Sequence, residues 1–358
     1  MSDGKRRIGV LVVEDSPAMR ELLEHIFNAD PELHVIGTAV DGEQAIDMVR
    51  RKRPDVITMD LHMPRMDGIE AVRIIMESVP TPIVIVSGSS APAEVAETFR
   101  ALEAGALALV EKPPGPAHAR AQEIADKLRQ TVKLMSEVRV VRRWPKRGSG
   151  KPAQPLDPAP VRLQSKGVQL IAMGASTGGP LVLQTILSGL HERLSVPVLI
   201  VQHMANGFTE GFAEWLGQST RLPVTVAKDG EHLQAGHVYI APEGCHTQVR
   251  AGLIVKLSVD APENGHRPSV APLFRSAAAL LGPGAIGVLL SGMGRDGAAE
   301  LRLLRDSGAL TIAQELQTAV VPGMPGEAVR LNAAMLMLAP EKIAPELIKA
   351  TPPPCDPL

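Results

Sequence analysis

Short apolar runs alternate with longer amphipathic stretches along the N-terminal third of the chain. The runs are rich in Val and Ile, which favour strands. They lie at residues 8–13, 35–38, 56–59, 83–87 and 106–110. The stretches between them carry apolar side chains at helical spacing, as at residues 19–28 and 43–51. This alternation predicts an α/β domain with a five-stranded parallel sheet and crossover helices.

A second alternation begins near Gln169 and continues through most of the remaining chain. Its predicted strands are at residues 168–173, 197–202, 224–227, 237–240, 254–257, 285–290 and 310–314. Its predicted helices are at residues 181–190, 209–219, 273–281 and 297–307. The pattern indicates a second, larger α/β domain, doubly wound around a mostly parallel sheet.

The stretch between the two alternations has a different composition. Residues 117–141 have a helical pattern with mixed charge, and residues 142–166 are rich in Pro, Gly, Ser, Lys and Arg without an apolar period. We therefore predict a first domain at 1–125, a helix end and linker at 126–165, and a second domain at 166–352. The basic run at 142–147 is short, which is more typical of a solvated linker than of a nucleic-acid site.

Charged and hydroxyl side chains follow the predicted strands of the first domain. They are Glu14, Asp15, Asp60, Ser87 and Lys112. Because the carboxyl ends of parallel strands meet at one edge of a sheet, these groups should lie together. Clustered carboxylates repel one another unless a hard cation such as Mg²⁺ lies among them. Asp60 could then act as a nucleophile toward a phosphoryl group, with Lys112 and Ser87 contacting its oxygens.

A glycine-rich turn joins the first predicted strand of the second domain to its first helix. It contains the pattern Gly-x-Ser-x-Gly from Gly174 to Gly178 and places Ser176 at the edge of the sheet. Such a turn can expose a nucleophilic serine beside helix amides that stabilise an oxyanion. The same turn could instead bind phosphate or only reverse the chain, so the turn by itself leaves both readings open.

A histidine and an aspartate support the nucleophile interpretation. His203 and Asp296, like Ser176, come after apolar strands, so the three side chains should approach one another at the same edge. They are the components of a hydrolytic triad, although their chain order differs from the three common orders. Neither Cys245 nor the remaining histidines of the domain have the spacing of metal ligands. These histidines are His232, His237, His246 and His266.

Composition indicates the class of protein and its cellular compartment. The chain has 358 residues, 45% of them hydrophobic, and a net charge of −2, as expected of a globular protein and not of a nucleic-acid binder. Aromatic residues make up 2% of the chain, which disfavours base stacking. With two cysteines, no apolar run of membrane-spanning length and no signal-peptide pattern, the sequence predicts a cytoplasmic protein without membrane insertion.

The first domain resembles the receiver domain of two-component response regulators. The resemblance is carried by LVVEDS at 11–16, DLHMPRMDG at 60–68 and EKP at 111–113. It implies a flavodoxin-like fold, phosphorylation of Asp60 by a histidine kinase, and Ser87 and Lys112 as switch residues. It also implies Mg²⁺ held by Glu14, Asp15, Asp60 and the backbone carbonyl of His62.

The second domain resembles the chemotaxis protein-glutamate methylesterases. The motifs are GASTGGP at 174–180, VQHM at 201–204, GFT at 207–209, APEG at 241–244, RPSV at 267–270, LFRSAA at 273–278, SGMGRDG at 291–297 and GMPG at 323–326. The resemblance implies hydrolysis of glutamyl methyl esters and deamidation of glutamines on chemoreceptors, with no cofactor for the esterase reaction. It also implies that the unphosphorylated receiver covers the catalytic cleft. On this reading Ser176, His203 and Asp296 are catalytic, with oxyanion amides near Thr177 and Met293.

Three departures from the family pattern concern signalling and substrate choice. Leu109 replaces the usual aromatic switch residue, Ala271-Pro272 replaces a common Asp-Val, and Pro322 replaces a common Trp. Two other functions remain as alternatives. A DNA-binding output domain is disfavoured because no short helix-turn-helix or basic module follows the linker. A nucleotide switch lacks the P-loop lysine and the dinucleotide fingerprint.

Overall fold

The computed structural model describes residues 6–88, 92–115, 117–138, 140 and 167–353. The predicted linker at 142–166 and Cys355 lie outside the described residues. None of the helices in the described ranges is long and apolar enough to cross a lipid bilayer.

The N-terminal domain is a five-stranded parallel sheet flanked by helices. Its strands are β1 (Ile8–Val13), β2 (Leu33–Ala39), β3 (Val56–Met59), β4 (Ile83–Ser87) and β5 (Ala108–Glu111), in the order β2-β1-β3-β4-β5. Its helices are α1 (Pro17–Asn28), α2 (Gly42–Lys52), α3 (Gly68–Ser78), α4 (Pro92–Ala104) and α5 (Ala121–Ser136). The predicted fold of this domain is confirmed. Helix α5 continues past residue 125, where we placed the end of the domain.

Side chains at the helix starts explain where several of these helices begin. Ser16, Asp41 and Asp67 each precede a helix and accept a hydrogen bond from a backbone amide of its first turn. Such caps satisfy amides that have no partner inside the helix. Asp67 is therefore engaged in capping α3, with its Oδ1 2.8 Å from the amide of Glu70.

The C-terminal domain is built on a larger parallel sheet. Its strands are β6 (Leu170–Ala175), β7 (Val198–Gln202), β8 (Val224–Val226), β9 (Val238–Ile240), β10 (His246–Arg250), β11 (Ile254–Ser258), β12 (Ala285–Leu289), β13 (Leu310–Gln314) and β14 (Leu336–Leu338). The sheet order is β14-β13-β12-β6-β7-β9-β8. Helices flank it at α6 (Gly179–Leu190), α7 (Thr209–Thr220), α8 (Val270–Leu281), α9 (Ala298–Asp306), α10 (Gly323–Arg330) and α11 (Pro340–Ala350). The doubly wound prediction is confirmed.

One strand of the second domain does not lie where the sequence placed it. Residues 254–257 belong to β11, which pairs antiparallel with β10 in a separate two-stranded hairpin and not with the large sheet. An apolar run of four residues has the same pattern in either location, so its partner could not be read from it.

The two domains pack through α4 and α7. The ring of Phe99 on α4 lies 5.1 Å from the ring of Phe212 and 5.0 Å from that of Trp215. The Glu103 carboxylate on α4 accepts hydrogen bonds from Trp215 Nε1 at 3.2 Å and from Gln184 Nε2 at 2.6 Å. The contact combines aromatic packing with two polar bonds, which fixes the orientation of α4 against the second domain.

Candidate active site

Ser176 lies on a tight turn between β6 and α6, at the centre of the large sheet. Its amide donates to the carbonyl of Ser291 at 2.9 Å, and its carbonyl accepts from Gly179 at 2.8 Å. Gly178 begins the helix with φ of 79°, a conformation that favours glycine. From β6 the chain passes to β7 on one side, and later in the sequence it returns to β12 on the other side of β6. Ser176 therefore lies at the topological switch point, where α/β sheets bind ligands.

The backbone around Ser176 is packed without spare space. A Cβ added at Gly292 would lie 2.7 Å from the Cβ of Ser176, and one added at Gly179 would lie 2.2 Å from Gln202 Oε1. Heavy atoms do not approach this closely without displacement. The two glycines therefore allow the loop after β12 and the side chain of Gln202 to contact the serine turn directly.

His203 and Asp296 form a buried pair beside this turn. His203 follows β7, Asp296 lies in the loop after β12, and the distance from His203 Nε2 to Asp296 Oδ2 is 2.9 Å. Their side chains are 5% and 2% exposed, so the interaction is shielded from water. His203 Nδ1 is buried and has no hydrogen-bond partner among the described residues. Nδ1 is thus the ring nitrogen left available to Ser176, although no hydrogen bond joins Ser176 Oγ to it in the described structure.

Four hydrogen bonds hold the Asp296 carboxylate. Oδ2 accepts from His203 Nε2 and from the Val270 amide at 2.7 Å, whereas Oδ1 accepts from Ser269 Oγ at 2.7 Å and Asn264 Nδ2 at 2.8 Å. Burial acts to raise the pKa of Asp296. The bonds from His203, Ser269 and Val270 outweigh burial, and the pKa lies well below its usual range. Asp296 is therefore ionised and fixed in place.

Gln202 links the first two members of the site. Its Nε2 donates to the carbonyl of Ser176 and to the carbonyl of His203, each at 2.9 Å. The His203 amide also donates to the carbonyl of Ala175 at 2.9 Å. The ends of β6 and β7 are consequently tied together, which keeps the serine and the histidine in register.

His266 is a site residue that the sequence analysis did not select. Its ring stacks on the ring of His203, with the centroids 3.8 Å apart and an interplanar angle of 11°. Burial, and secondarily the proximity of His203, lower the pKa of His266 to about 4. A single histidine in a polar loop carries no periodic signal, so its position could be found only from the three-dimensional structure.

Two amides lie where an oxyanion could be bound. Thr177 follows Ser176, and Met293 follows Gly292, which packs against Ser176. Neither amide donates a hydrogen bond to another described residue. Both amides therefore have a donor that is not used by another described residue.

The acidic edge of the first domain assembles as predicted. Glu14, Asp15 and Asp60 each place a carboxylate oxygen within 4.8 Å of the others. Lys112 Nζ lies 2.8 Å from Asp60 Oδ2 and 2.9 Å from Glu14 Oε2. Burial and the neighbouring charge of Asp60 raise the pKa of Glu14. Burial acts to lower the pKa of Lys112, but hydrogen bonds to the two carboxylates hold it above its usual value. Ser87 is buried at the end of β4.

A cavity of about 280 Å³ separates the His203–Asp296 pair from the first domain. One wall is formed by the second domain and includes His203, His266 and Arg267. The facing wall consists of residues from β5, α5 and the segment between them, namely Leu109, Val110, Glu111, Arg120, Glu123, Ile124 and Lys127. The first domain thus lies over the entrance to the site.

Comparison with known protein families agrees with this geometry. Residues 171–347 match the CheB methylesterase family, and residues 10–122 match the response regulator receiver domain. A protein-glutamate methylesterase/protein-glutamine glutaminase of Nitrosospira multiformis is 52% identical over 340 residues, covering 95% of this chain and 96% of that protein. The chain belongs to the CheB methylesterase family. It is a methylesterase joined to a receiver domain of a two-component system, which confirms the family resemblance seen in the motifs.

A second relative also matches nearly the whole chain. A protein-glutamate methylesterase/protein-glutamine glutaminase 1 of Syntrophus aciditrophicus is 52% identical over 343 residues, covering 96% of this chain and 98% of that protein. Among solved structures, the Thermotoga maritima CheB methylesterase catalytic domain is 33% identical, with a TM-score of 0.49. The match covers 51% of this chain and 98% of that one.

Proposed function

We propose that this methylesterase removes methyl groups from methylglutamate residues of chemoreceptors and deamidates receptor glutamines, using Ser176, His203 and Asp296. The observation that carries the proposal is the buried His203–Asp296 pair, at 2.9 Å, beside the Ser176 turn at the switch point of the sheet. The names of relatives that match nearly the whole chain support the protein-glutamate substrate. No cofactor is required for this reaction.

The reaction proceeds by two acyl-transfer steps. Ser176 Oγ attacks the ester carbonyl while His203 Nδ1 accepts its proton, and Asp296 stabilises the imidazolium that forms. The imidazolium then donates the proton to the leaving methoxide, so methanol departs and an acyl-serine remains. Water, deprotonated by His203, attacks this acyl-enzyme, and the imidazolium returns the proton to Ser176 Oγ as the acyl–oxygen bond breaks. The released glutamic acid side chain then ionises to the carboxylate. With a glutamine substrate, ammonia leaves in place of methanol.

Backbone amides stabilise the negative oxygen of each tetrahedral intermediate. The amides of Thr177 and Met293 flank Ser176 and have no described protein partner, which supports this role. Such preorganised donors contribute about 100- to 1000-fold to acyl transfer.

The receiver supplies the regulatory site, with Asp60 as the phosphorylated residue and a histidine kinase as the phosphodonor. Glu14, Asp15, Asp60 and the His62 carbonyl would hold Mg²⁺, and the close approach of three acidic side chains fits a divalent cation. When bound, Mg²⁺ neutralises charge on the incoming phosphoryl group. Lys112 neutralises part of the same charge, and Ser87 donates a hydrogen bond to a phosphoryl oxygen.

Phosphorylation controls access to the catalytic cleft in this proposal. The walls of the cavity above His203 include β5 and α5 of the receiver, so moving these elements would open the site. We place the protein in the cytoplasm, where receptor signalling helices meet their kinase, with no nucleic-acid partner and no insertion into the membrane. Residues 1–125 form the receiver, 126–165 the helix end and linker, and 166–352 the catalytic domain.

A methanol-release assay on membranes containing methylated receptor tests the function. The full-length protein should release methanol, and a small phosphodonor with Mg²⁺ should increase the rate. Titration with ATP and NAD by calorimetry should give no binding heat at the Gly174–Gly179 turn. Absence of methanol release in both conditions, together with nucleotide binding, would overturn the proposal in favour of a nucleotide switch.

A further inference from the structure

A short hairpin projects two side chains onto the catalytic pair. The amide of Glu263 donates to the carbonyl of His266 and the amide of His266 donates to the carbonyl of Glu263, both at 3.0 Å. The two residues between them, Asn264 and Gly265, have φ of 54° and 80°. Positive φ at both central positions, with Asn followed by Gly, is typical of a type I′ turn. The sequence Glu-Asn-Gly-His therefore fixes the direction of the side chains on both sides of the tip.

Each side of the tip contacts one member of the pair. Asn264 Nδ2 donates to Asp296 Oδ1 at 2.8 Å. His266 lies flat against His203, with the ring centroids 3.8 Å apart and an interplanar angle of 11°. One hairpin thus contacts both the Asp296 carboxylate and the His203 imidazole, which the carboxylate orients.

The two contacts differ in how strongly they restrain the side chains that they touch. Asp296 has further donors in Ser269 and Val270, so the loss of Asn264 would leave its carboxylate held. The imidazole of His203 has one hydrogen bond, through Nε2, because Nδ1 has no partner among the described residues. A ring held at one atom can tilt about that bond. The flat face of His266 is the contact that opposes this tilt.

We propose that His266 is a positioning residue for His203: its ring face holds the catalytic imidazole at the angle that directs Nδ1 toward Ser176. This inference rests on the proposed roles of Ser176, His203 and Asp296. It adds to them a residue that acts through the general base.

Residues other than His203 and Asp296 hold the hairpin in place. His246 Nε2 donates to the carbonyl of Ala261 at 3.0 Å, and Arg267 Nη1 donates to the carbonyls of Val259 and Asp260 at 3.1 and 3.2 Å. Glu263 forms an ion pair with Arg275. The position of His266 is therefore set by the loop and not only by its stacking partner, as positioning requires.

The electrostatic surroundings keep His266 neutral. His203 and Lys127 disfavour a positive charge on it, Asp296 favours one, and burial is the largest influence. Its pKa is about 4, so it carries no charge at physiological pH. The flanking Arg267 and Glu263 are engaged elsewhere, with loop carbonyls and Arg275. A neutral neighbour is required because a second positive charge would oppose formation of the His203 imidazolium.

The test compares two apolar replacements that differ in shape. His266→Phe keeps a flat ring, whereas His266→Leu fills a similar volume without one. Both are assayed as full-length protein with phosphodonor, by methanol release from methylated receptor membranes, with kcat and KM determined separately. We expect Phe to keep kcat within about threefold and Leu to lower it by about 10- to 100-fold, since small misplacement of a catalytic group has effects of this size. KM should change less than about twofold in both, because a role exerted through His203 leaves substrate binding unchanged.

Controls separate this inference from the proposal on which it rests. His237→Ala removes a histidine remote from the pair and should have the wild-type rate. The acid limb of the pH–kcat profile should coincide for wild type and His266→Phe, because His266 stays neutral above about pH 4. Wild-type kcat for the His266→Leu variant, or a loss of kcat above tenfold for the His266→Phe variant, would overturn the positioning role. If the His266→Leu variant does not fold, the kcat of the His266→Phe variant decides. Full activity of Ser176→Ala in the same assay would instead refute the triad itself.

Discussion

At the level of single residues, the site depends on one available nitrogen. Asp296 occupies Nε2 of His203, so in the proposed mechanism the proton of Ser176 passes to Nδ1. The carboxylate fixes the tautomer in which Nε2 carries hydrogen and Nδ1 can accept. Replacement of Ser176, His203 or Asp296 should therefore affect kcat more than substrate binding.

The first residue prediction concerns Ser176→Ala. Removing the nucleophile should lower methanol release by at least about 1000-fold, because triad nucleophiles contribute several orders of magnitude. The melting temperature should change little, since the backbone bonds of the turn remain. Ser195→Ala, a serine elsewhere in the same domain, is the control. If the Ser176 variant kept more than about a hundredth of the wild-type rate, another nucleophile would have to be sought.

The second residue prediction concerns Asp60→Asn. The amide is a poor nucleophile and a weaker metal ligand, so labelling by a phosphodonor in the presence of Mg²⁺ should be lost. Asp67→Asn is the matched control: Asp67 caps α3, and asparagine also caps helices well. The control should be labelled like the wild type. Acid-labile phosphate that persists on Asp60→Asn and disappears from Asp67→Asn would move the acceptor to Asp67.

At the level of elements, the loop after β12 must approach the serine turn closely. Gly292 makes this possible, since a Cβ there would lie 2.7 Å from Ser176 Cβ and 2.3 Å from Met324 Sδ. The methionine can move aside, but the Cβ of Ser176 is fixed by the turn. A side chain at residue 292 would therefore displace Ser176 directly.

Gly292→Ala should accordingly lower kcat by about 10- to 100-fold, through displacement of Ser176 or of the Met293 amide. We expect KM to change less. Gly217→Ala on α7 is the control, because its Cβ would make an ordinary contact at 3.5 Å from Leu222 O and alanine favours helices. Methanol release and thermal melting of both variants provide the measurement. An unaltered kcat for Gly292→Ala would show that the loop can move without loss.

The same elements show what sequence could and could not predict. Ser176, His203 and Asp296 were predicted because each comes after an apolar strand, and parallel strands bring their carboxyl ends together. His266 was missed because it lies on an Asn-Gly hairpin in a polar loop, where no apolar period marks the position. β14 was also missed, since three residues with alternating partial exposure give too short a pattern.

At the level of the whole molecule, two features of the described residues bear on how the receiver meets the catalytic domain. One is the aromatic packing of α4 on α7, and the other is the wall of β5 and α5 that faces His203 across the cavity. Leu109 lies in that wall, where the receiver pattern usually has an aromatic switch residue. In the proposed mechanism, phosphorylation would therefore control access through movement of the wall itself, because leucine has no ring or hydroxyl to reorient.

Removal of the receiver should uncover the catalytic pair. A chain beginning near Lys166 should release methanol faster than the unphosphorylated full-length protein, and a phosphodonor should accelerate only the full-length protein. An increase of about tenfold would correspond to a shift of about 1.4 kcal/mol in the closed-to-open equilibrium, which modest contacts between domains can supply. Asp60→Asn in the full chain is the control and should remain slow with phosphodonor. Equal rates for the shortened and full-length proteins, with no response to phosphodonor, would mean that the receiver positions the enzyme on its receptor instead of closing the cleft.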